Sequence, residues 1–415
     1  MPPTDSRFWH PFADMHAVRS SELTLVGGDG VHVTDEEGRR YLDGTASLWN
    51  VNVGHGRTEL ADAAAAQMRE LATYGAFGAF NNQRARELTE RLAALAPVDD
   101  ARIFLTSGGG DSIDTAAKLA RRYFAATGQP ERVHLISRSQ GYHGTHGLGT
   151  SLGGIPANRA DVGPLDPHSS QVPHDSLDAL ETEIERVGAD RVAAVFVEPV
   201  IGAGGVHQPR PGYLEGVDEL CKGTGVLHVV DAVIAAFGRL GEWFGPERWG
   251  LRPDMITFAK GVTSGYLPLG GVVVDEEISA PYFEAPGGPM FRHGATYAGH
   301  PSVCAAANAT LDIYEREDII RRGQDLETPL YEALKPLADH EAASEVRGGI
   351  GFLAAVGVKE PAAVATLAAG ARQAGVLVRP LLGGVAVSPP LICEQEHIDL
   401  VAQAIEAGLD AVAAM

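Results

Sequence analysis

The chain has 415 residues, of which 45% are hydrophobic and 21% charged, the composition of a globular protein with room for two domains. Its formal net charge of −21 excludes the basic surface on which nucleic-acid binding depends, so we expect no nucleic-acid partner. No apolar run is long enough to span a bilayer and the first residues lack the pattern of a secretory signal, so we expect no membrane association.

Two kinds of hydrophobic periodicity alternate along the chain. Apolar residues spaced by about 3.6 predict helices at 57–73, 83–96, 111–127, 300–316, 361–374 and 395–412. Short runs rich in β-branched residues predict strands at 102–105, 133–136, 192–197, 226–230, 255–258 and 271–274. This alternation predicts an α/β protein with a mostly parallel sheet covered by helices on both faces. In such sheets ligands bind beyond the carboxyl ends of the strands.

The pattern changes after residue 310, where a helix-rich stretch leads into short predicted strands near 350–356, 376–379 and 384–388. We therefore divide the chain into a large domain over 56–305 and a smaller C-terminal domain over 306–415. The N-terminal segment 1–55 is expected to pack with the smaller domain.

The chain's cysteines are Cys221, Cys304 and Cys393, and they form neither a CxxC pair nor a metal-ligand spacing. We expect no disulfide framework and no metal site. A reducing compartment, the cytoplasm, is the expected location.

A glycine-rich turn, Thr106-Ser107-Gly108-Gly109-Gly110-Asp111, follows the first predicted strand of the large domain and opens a helix. Backbone N–H groups at a helix N-terminus attract anions, so the turn is suited to a phosphate. It matches neither of the common phosphate-binding patterns, and a plain turn before a helix explains it equally well.

Two further strand ends carry polar or aromatic side chains. Tyr142 lies between glycines on a loop, where its ring could stack on a flat ligand or simply be a loop residue. Asp231 ends an apolar strand, where it could pair with a protonated ring nitrogen or cap the following turn. The residues alone leave both pairs of alternatives open.

Lys260 ends another apolar strand and is followed by glycine. Burying a lysine is unfavourable unless the amine is used, and Schiff-base chemistry needs an amine that loses its proton near neutral pH. The alternative is a lysine whose stem lies along the strand end while its amine reaches solvent.

These features occur together in a pattern that resembles the class III pyridoxal 5'-phosphate (PLP)-dependent aminotransferases, and within them the ω-amine:pyruvate subgroup. The similarity runs nearly end to end and is carried by four segments: 8–12, 48–56, 252–271 and 378–380. The resemblance implies a PLP-dependent transferase of fold type I, with a seven-stranded sheet in the large domain and a smaller α+β domain.

The resemblance implies that Lys260 holds PLP as a Schiff base and then moves the substrate proton. It implies that Asp231 pairs with the pyridine nitrogen, while Tyr142 and Val233 lie on the two faces of the ring.

Further cofactor contacts follow from the same resemblance. Gly109 and Gly110 are expected to offer N–H groups to the phosphate, and Glu198 to lie close to the cofactor. Thr296 is expected to reach a phosphate oxygen across the interface of a homodimer or a dimer of dimers. His143 is assigned to the cofactor site, with a structural role in its loop as the alternative.

On the substrate side, the resemblance assigns Leu48 and Trp49 to the pocket and Arg379 to the substrate carboxylate, which suits bidentate geometry. Phe77 and Phe80 are interpreted as core residues, with a position near the pocket as the alternative. The implied reaction moves an amino group from an amine or ω-amino acid to a keto acid such as pyruvate. A PLP-dependent aminomutase, racemase or decarboxylase is the alternative on the same scaffold.

The chain departs from the family pattern at two cofactor-site positions. Ala232 stands where a glutamate is usual, and Gly110 where a serine is usual. The change at Ala232 is the reason to weigh a third, non-catalytic PLP-binding role, although Lys260, Asp231, Thr296 and Arg379 are all retained.

Overall fold

The structure is a computed structural model, and it is described for residues 7–284 and 286–415. The strands, in chain order, are β1 (Leu25–Asp29), β2 (His32–Asp35), β3 (Arg40–Asp43), β4 (Arg102–Thr106), β5 (His134–Arg138), β6 (Ser169–Val172), β7 (Val192–Val197), β8 (Leu227–Asp231), β9 (Met255–Phe258), β10 (Gly270–Val274), β11 (Ala343–Arg347), β12 (Ala354–Val358), β13 (Val376–Leu377), β14 (Arg379–Leu381) and β15 (Gly384–Val387).

The helices, in chain order, are α1 (Met15–Ser21), α2 (Ala46–Trp49, a kinked turn), α3 (Thr58–Glu70), α4 (Gln83–Leu95), α5 (Gly109–Ala126), α6 (Gly147–Leu152), α7 (Leu177–Val187), α8 (Tyr213–Thr224), α9 (Glu276–Phe283), α10 (Pro301–Arg316), α11 (Ile319–Leu334), α12 (Val364–Gln373) and α13 (Gln395–Ala413). Within the described residues, no helix is both long and apolar enough to cross a membrane.

A seven-stranded sheet forms the centre of the molecule, in the order β4-β10-β9-β8-β7-β5-β6. Strand β10 runs antiparallel to both of its neighbours, and the other six strands run in one direction. The predicted mostly parallel, seven-stranded sheet is therefore confirmed. The carboxyl ends of β7, β8 and β9 lie side by side at one edge.

Both faces of this sheet are buried. Because successive side chains of a strand point in opposite directions, neighbouring residues pack into different clusters. Val229 and Met255 pack into the cluster that contains Ile113 of α5. Their chain neighbours Val230 and Ile256 pack into the main core on the other face. This burial on two sides explains why the central strands read as continuous apolar runs.

Two smaller four-stranded sheets complete the fold. One has the order β1-β2-β3-β13, in which β13 lies parallel to β3, and the other has the order β11-β12-β15-β14. Helices α11, α12 and α13 pack with these strands. The parallel pair of β3 and β13 joins residues near the N-terminus to residues near the C-terminus.

A buried arginine links three separated parts of the chain. The Arg239 guanidinium donates hydrogen bonds to the carbonyls of Phe352 and Pro389, each at 2.8 Å, and to the Asn52 side-chain oxygen at 3.0 Å. Burial lowers the pKa of Arg239 to about 10, so it stays protonated at neutral pH. These bonds attach the residues that flank the two smaller sheets to the central one.

Candidate active site

Three adjacent strands of the central sheet place charged side chains at the same edge. Glu198 follows β7, Asp231 ends β8, and Lys260 follows β9 after one residue. These side chains line a cavity of about 170 Å³. Its wall is completed by Leu48, Gly109, Gly110, Ile113, Tyr142, His143, Gly144, Val233 and Ile234. The cavity therefore brings together every residue assigned to the cofactor from the sequence except Thr296.

Asp231 is buried at the end of β8 and is held by three donors. Its Oδ2 lies 2.8 Å from Nδ1 of the buried His143. Its Oδ1 accepts hydrogen bonds from the backbone N–H of Val233 at 3.1 Å and the Thr257 hydroxyl at 3.3 Å. Asp231 thus caps the turn after β8 and also presents a carboxylate to the cavity, so the two alternatives from the sequence are compatible.

Lys260 begins a short 3-10 helix and has a positive φ of 48°. Burial lowers the pKa of its amine to about 8, although Asp231 and Glu198 attract the ammonium form and raise it. Arg379 adds a smaller repulsion that lowers it further. The amine makes no ion pair with any residue that the structure describes. A partly buried amine that deprotonates near neutral pH can act as a nucleophile and as a proton carrier.

Glu198 is buried beside the same cavity and fixes the loop that carries Tyr142. Its Oε1 accepts a hydrogen bond from the Tyr142 backbone N–H at 2.9 Å, and its Oε2 accepts one from the Gly202 N–H at 3.0 Å. Burial raises the pKa of Glu198 above its usual range. The guanidinium of the buried Arg138 donates to the Glu198 carbonyl.

Glycines form the part of the cavity at the start of α5. A Cβ at Gly109 would lie 2.7 Å from Val233 Cγ1, and a Cβ at Gly144 would lie 2.7 Å from the Gly110 Cα. Side chains at Gly109 and Gly144 would therefore fill the space next to the first N–H groups of an 18-residue helix. Such a bare helix N-terminus suits an anionic group such as phosphate.

A second cavity of about 510 Å³ adjoins the first and shares Leu48, Tyr142, Ile234 and Lys260 with it. Trp49 lines this second cavity with an exposed fraction of 3%, whereas Leu48 is 46% exposed. The three residues assigned to the substrate, Leu48, Trp49 and Arg379, therefore lie together at one opening.

Arg379 lies on β14 at the wall of this second cavity. Burial lowers the pKa of its guanidinium below the usual value, and within the described residues it makes no ion pair. A partly buried guanidinium without a carboxylate partner is suited to an anionic ligand.

Sequence reasoning missed several residues of the substrate cavity. Ile234 follows Val233 directly and lines both cavities. The Phe12 ring also lines the second cavity and lies 6.4 Å from the Tyr142 ring. His207 and Arg347 line other parts of that cavity. Phe12 belongs to segment 8–12, which was singled out only for its similarity, and nothing in the periodicity indicates the other two.

Thr296 is exposed and lines neither cavity of the single chain. The interpretation of Phe77 and Phe80 as core residues is wrong, because their exposed fractions are 55% and 60%. The apolar character of a side chain shows that it avoids water but does not show whether its own chain or another one covers it.

The donor set fits a flat, phosphorylated aldehyde with a basic ring nitrogen. It offers an amine, a carboxylate on the neighbouring strand, the half-buried Tyr142 and Val233 in the cavity wall, and glycine N–H groups at a helix start. No group of histidine, cysteine or acidic residues that could hold a metal ion occurs within 7–284 or 286–415.

The chain is similar to known proteins in both its sequence and its structure. The family model described as aminotransferase class-III matches residues 15–409. A putrescine–pyruvate aminotransferase of Pseudomonas aeruginosa is 35% identical, over 94% of this chain and 91% of the relative.

Two solved structures have the same fold over nearly the whole chain. A thermostable (S)-enantioselective ω-transaminase from Thermomicrobium roseum is 38% identical with a TM-score of 0.93, covering 97% of this chain and 96% of that one. A PLP-bound amine transaminase from an uncultivated Pseudomonas species is 36% identical with a TM-score of 0.94, covering 98% and 99%.

Proposed function

This chain belongs to the class III aminotransferases, PLP-dependent enzymes of fold type I, and from that premise we propose how its residues carry out transamination. The reaction moves an amino group from an amine or ω-amino acid to a keto acid such as pyruvate. The observation that carries the proposal is that Lys260 and Asp231, on neighbouring strands, line one cavity with the glycines of the α5 N-terminus.

When bound, PLP supplies an aldehyde that joins covalently to an amine and a ring that withdraws electrons from the attached carbon. Lys260 is the residue that holds the cofactor and then, as a free amine, takes and returns the substrate proton at its Nζ. Its lowered pKa of about 8 leaves a useful fraction of the amine neutral near physiological pH.

Asp231 would pair with the ring nitrogen of the cofactor and keep that nitrogen protonated. The hydrogen bond from His143 keeps the Asp231 carboxylate oriented, as a neighbouring donor does for a buried acid. Tyr142 and Val233 would contact the two faces of the ring. The amide bonds to Glu198 keep the Tyr142 loop in position.

Gly109 and Gly110 would bind the phosphate through backbone N–H groups at the start of α5. On the substrate side, Arg379 would bind the carboxylate of the keto acid, since its guanidinium faces the cavity that Lys260 also lines. Leu48 and Trp49 would limit the size of the donor.

We further propose that the enzyme is a homodimer or a dimer of dimers in which Thr296 contacts the partner's phosphate. Exposed apolar side chains occur next to Thr296 at Tyr297 and on the loop that contacts Gly294, at Tyr74, Phe77 and Phe80. Phe77 lies against Gly294, so the two segments form one surface. An apolar patch of this kind is typical of a subunit interface.

Two coarser assignments complete the proposal. The division into 1–55, 56–305 and 306–415 is supported by the pairing of β3 with β13 and by the separate sheet of β11, β12, β14 and β15. A cytoplasmic location is supported by the three cysteines, which are buried and unpaired.

The family membership does not favour an aminomutase, racemase or decarboxylase. The retained amine at Lys260 and carboxylate at Asp231 also argue against a non-catalytic role. Ala232, which replaces the usual glutamate, is fully buried in the core and lines neither cavity. Its change therefore leaves the reacting groups in place.

Replacing Lys260 by alanine tests the central assignment. We expect transamination to fall by at least about 10²–10⁴-fold, because the proton carrier is lost, while PLP still binds without a covalent link. Mass spectrometry after borohydride treatment checks the link, since the wild type should gain the cofactor's mass and Lys260→Ala should not. A variant that turns over at the wild-type rate would refute the assignment.

A further inference from the structure

Gly110 lies in the first turn of α5, and the ring of His146 contacts the point at which a side chain of residue 110 would begin. A Cβ built on Gly110 would lie 3.6 Å from Nδ1 and 3.7 Å from Cε1 of His146. Both distances are ordinary van der Waals contacts. The imidazole therefore borders the space into which a polar side chain at position 110 would project.

The backbone packing explains why His146 lies there. Gly144 has a positive φ of 86°, and its Cα packs against Gly110 so closely that a Cβ would lie 2.7 Å away. Two residues later, the His146 carbonyl accepts a hydrogen bond from the Thr150 N–H at 2.7 Å and begins α6. The loop is thus held against the N-terminus of α5.

The His146 ring has no hydrogen-bond partner among the residues that the structure describes, and two acids in the first turns of α5 bond elsewhere. Asp111 accepts a hydrogen bond from the Ser107 N–H, and Asp114 accepts one from the Gly149 N–H. Those carboxylates are engaged by backbone donors. Nδ1 and Cε1 are the His146 atoms nearest to position 110, so the Nδ1 side of the ring faces the start of α5.

We propose that His146 is a phosphate ligand of the cofactor and supplies the side-chain hydrogen bond that Gly110 lacks. The inference rests on the proposed function only in that the phosphate lies at the α5 N-terminus. A hydrogen bond to a charged group is stronger than one between neutral groups, so its loss should be measurable in cofactor affinity.

The test compares PLP with pyridoxal, which has the same ring and aldehyde but no phosphate. The full-length enzyme is titrated with each compound, and binding is followed by the absorbance of the bound ring. Variants are His146→Ala, His146→Asn and, as a matched control at another exposed histidine, His168→Ala. The ³¹P NMR shift of bound PLP gives a second readout that does not depend on turnover.

We expect His146→Ala to weaken PLP binding by about tenfold or more and to leave pyridoxal binding unchanged. His146→Asn, which keeps a donor, should restore part of the affinity, and His168→Ala should match the wild type. The ³¹P shift should move in His146→Ala, should move by less in His146→Asn, and should stay unchanged in His168→Ala. Adding Gly110→Ser to His146→Ala should recover affinity, because the new hydroxyl begins in space that is open to it.

Equal PLP affinity in His146→Ala and the wild type would overturn the proposal, as would a parallel loss for PLP and pyridoxal, which indicates damage to the fold. If His146→Ala does not fold, the comparison of His146→Asn with the wild type takes its place, and an unchanged ³¹P shift there overturns it. Failure of the wild type to bind PLP covalently would instead refute the proposed function.

Discussion

At the scale of single residues, the chemistry depends on how neighbours adjust one amine. Burial is the main cause of the lowered pKa of Lys260, and nearby charges correct it in both directions. Asp231 and Glu198 favour the ammonium form, whereas Arg379 favours the neutral amine. The amine is neutral above its pKa, so capture of an aldehyde should increase as the pH rises through about 8.

Asp231→Asn and Arg379→Leu should shift this pH dependence in opposite directions. Removing the carboxylate should lower the pKa of Lys260, and removing the guanidinium should raise it. The midpoint of the rate of PLP capture by the apoenzyme, followed by absorbance against pH, measures both shifts. Arg252→Leu, which changes a distant exposed arginine, should leave the midpoint in place. Shifts of the same sign in the two test variants would contradict the opposite effects that we expect Asp231 and Arg379 to have on the pKa of Lys260.

Arg379→Leu should also separate the two halves of the reaction. The half-reaction with pyruvate should lose about tenfold to hundredfold in kcat/KM, because a charged hydrogen-bonding partner is removed. The half-reaction with a donor amine that has no carboxylate should change by less than about twofold and is the internal control. Stopped-flow absorbance of the bound cofactor measures each half separately. An equal loss in both halves would show that Arg379 does not bind the carboxylate.

At the scale of elements, the sequence predicts the parts that have a clear period. The six predicted helices correspond to α3, α4, α5, α10, α12 and α13, with ends within a few residues. Strand β1 gives no such signal, because all five of its residues are exposed and two are glycines. The sequence also does not show that β10 runs antiparallel to its neighbours, because the residue pattern of a strand is the same in either direction.

The candidate site could be found from the sequence because parallel strands end at one edge, which makes Glu198, Asp231 and Lys260 neighbours once their strands are adjacent. Backbone conformation could not be found in this way. Trp49 has a φ of 67° and Ala46 a φ of 45°, and neither is a glycine. Left-handed conformations at such residues come from tertiary contacts, which one sequence does not reveal.

The left-handed conformation in α2 leads to a prediction about Trp49. Glycine adopts this conformation without strain, whereas alanine does not, so Trp49→Gly should be more stable than Trp49→Ala by about 1 kcal/mol. Both variants should be less stable than the wild type, because a buried side chain is lost. Urea unfolding of the two variants checks the order, which is the reverse of that expected in a regular helix.

Trp49→Gly should also enlarge the cavity of about 510 Å³ and raise kcat/KM for bulky donors relative to small ones. A donor series of increasing size, measured against pyruvate, tests this expectation. An unchanged size preference would show that Trp49 does not limit the pocket.

At the scale of the whole molecule, the proposed interface around Thr296 would link assembly to cofactor binding. Phe77→Asp should break the dimer, because a charge in an apolar interface is unfavourable to bury. It should weaken PLP binding at the same time, since Thr296 of the partner subunit would be lost from the phosphate. Sedimentation and PLP titration measure the two effects.

Val162→Asp is the matched control, because Val162 is an exposed apolar residue on a different loop, with an exposed fraction of 56%. It should remain dimeric and keep its PLP affinity. A Phe77→Asp monomer with undiminished affinity and activity would refute the shared site.

The arginine at position 239 has a consequence for how substrates enter and leave. Moving residues 352–389 away from the central sheet would break the hydrogen bonds from the buried Arg239 guanidinium to the carbonyls of Phe352 and Pro389. Each lost bond would cost about 1–3 kcal/mol. Wide hinge opening in every turnover is therefore disfavoured. Substrates should instead enter and leave through small movements at the rim of the substrate cavity, where Phe12 and Leu382 are exposed.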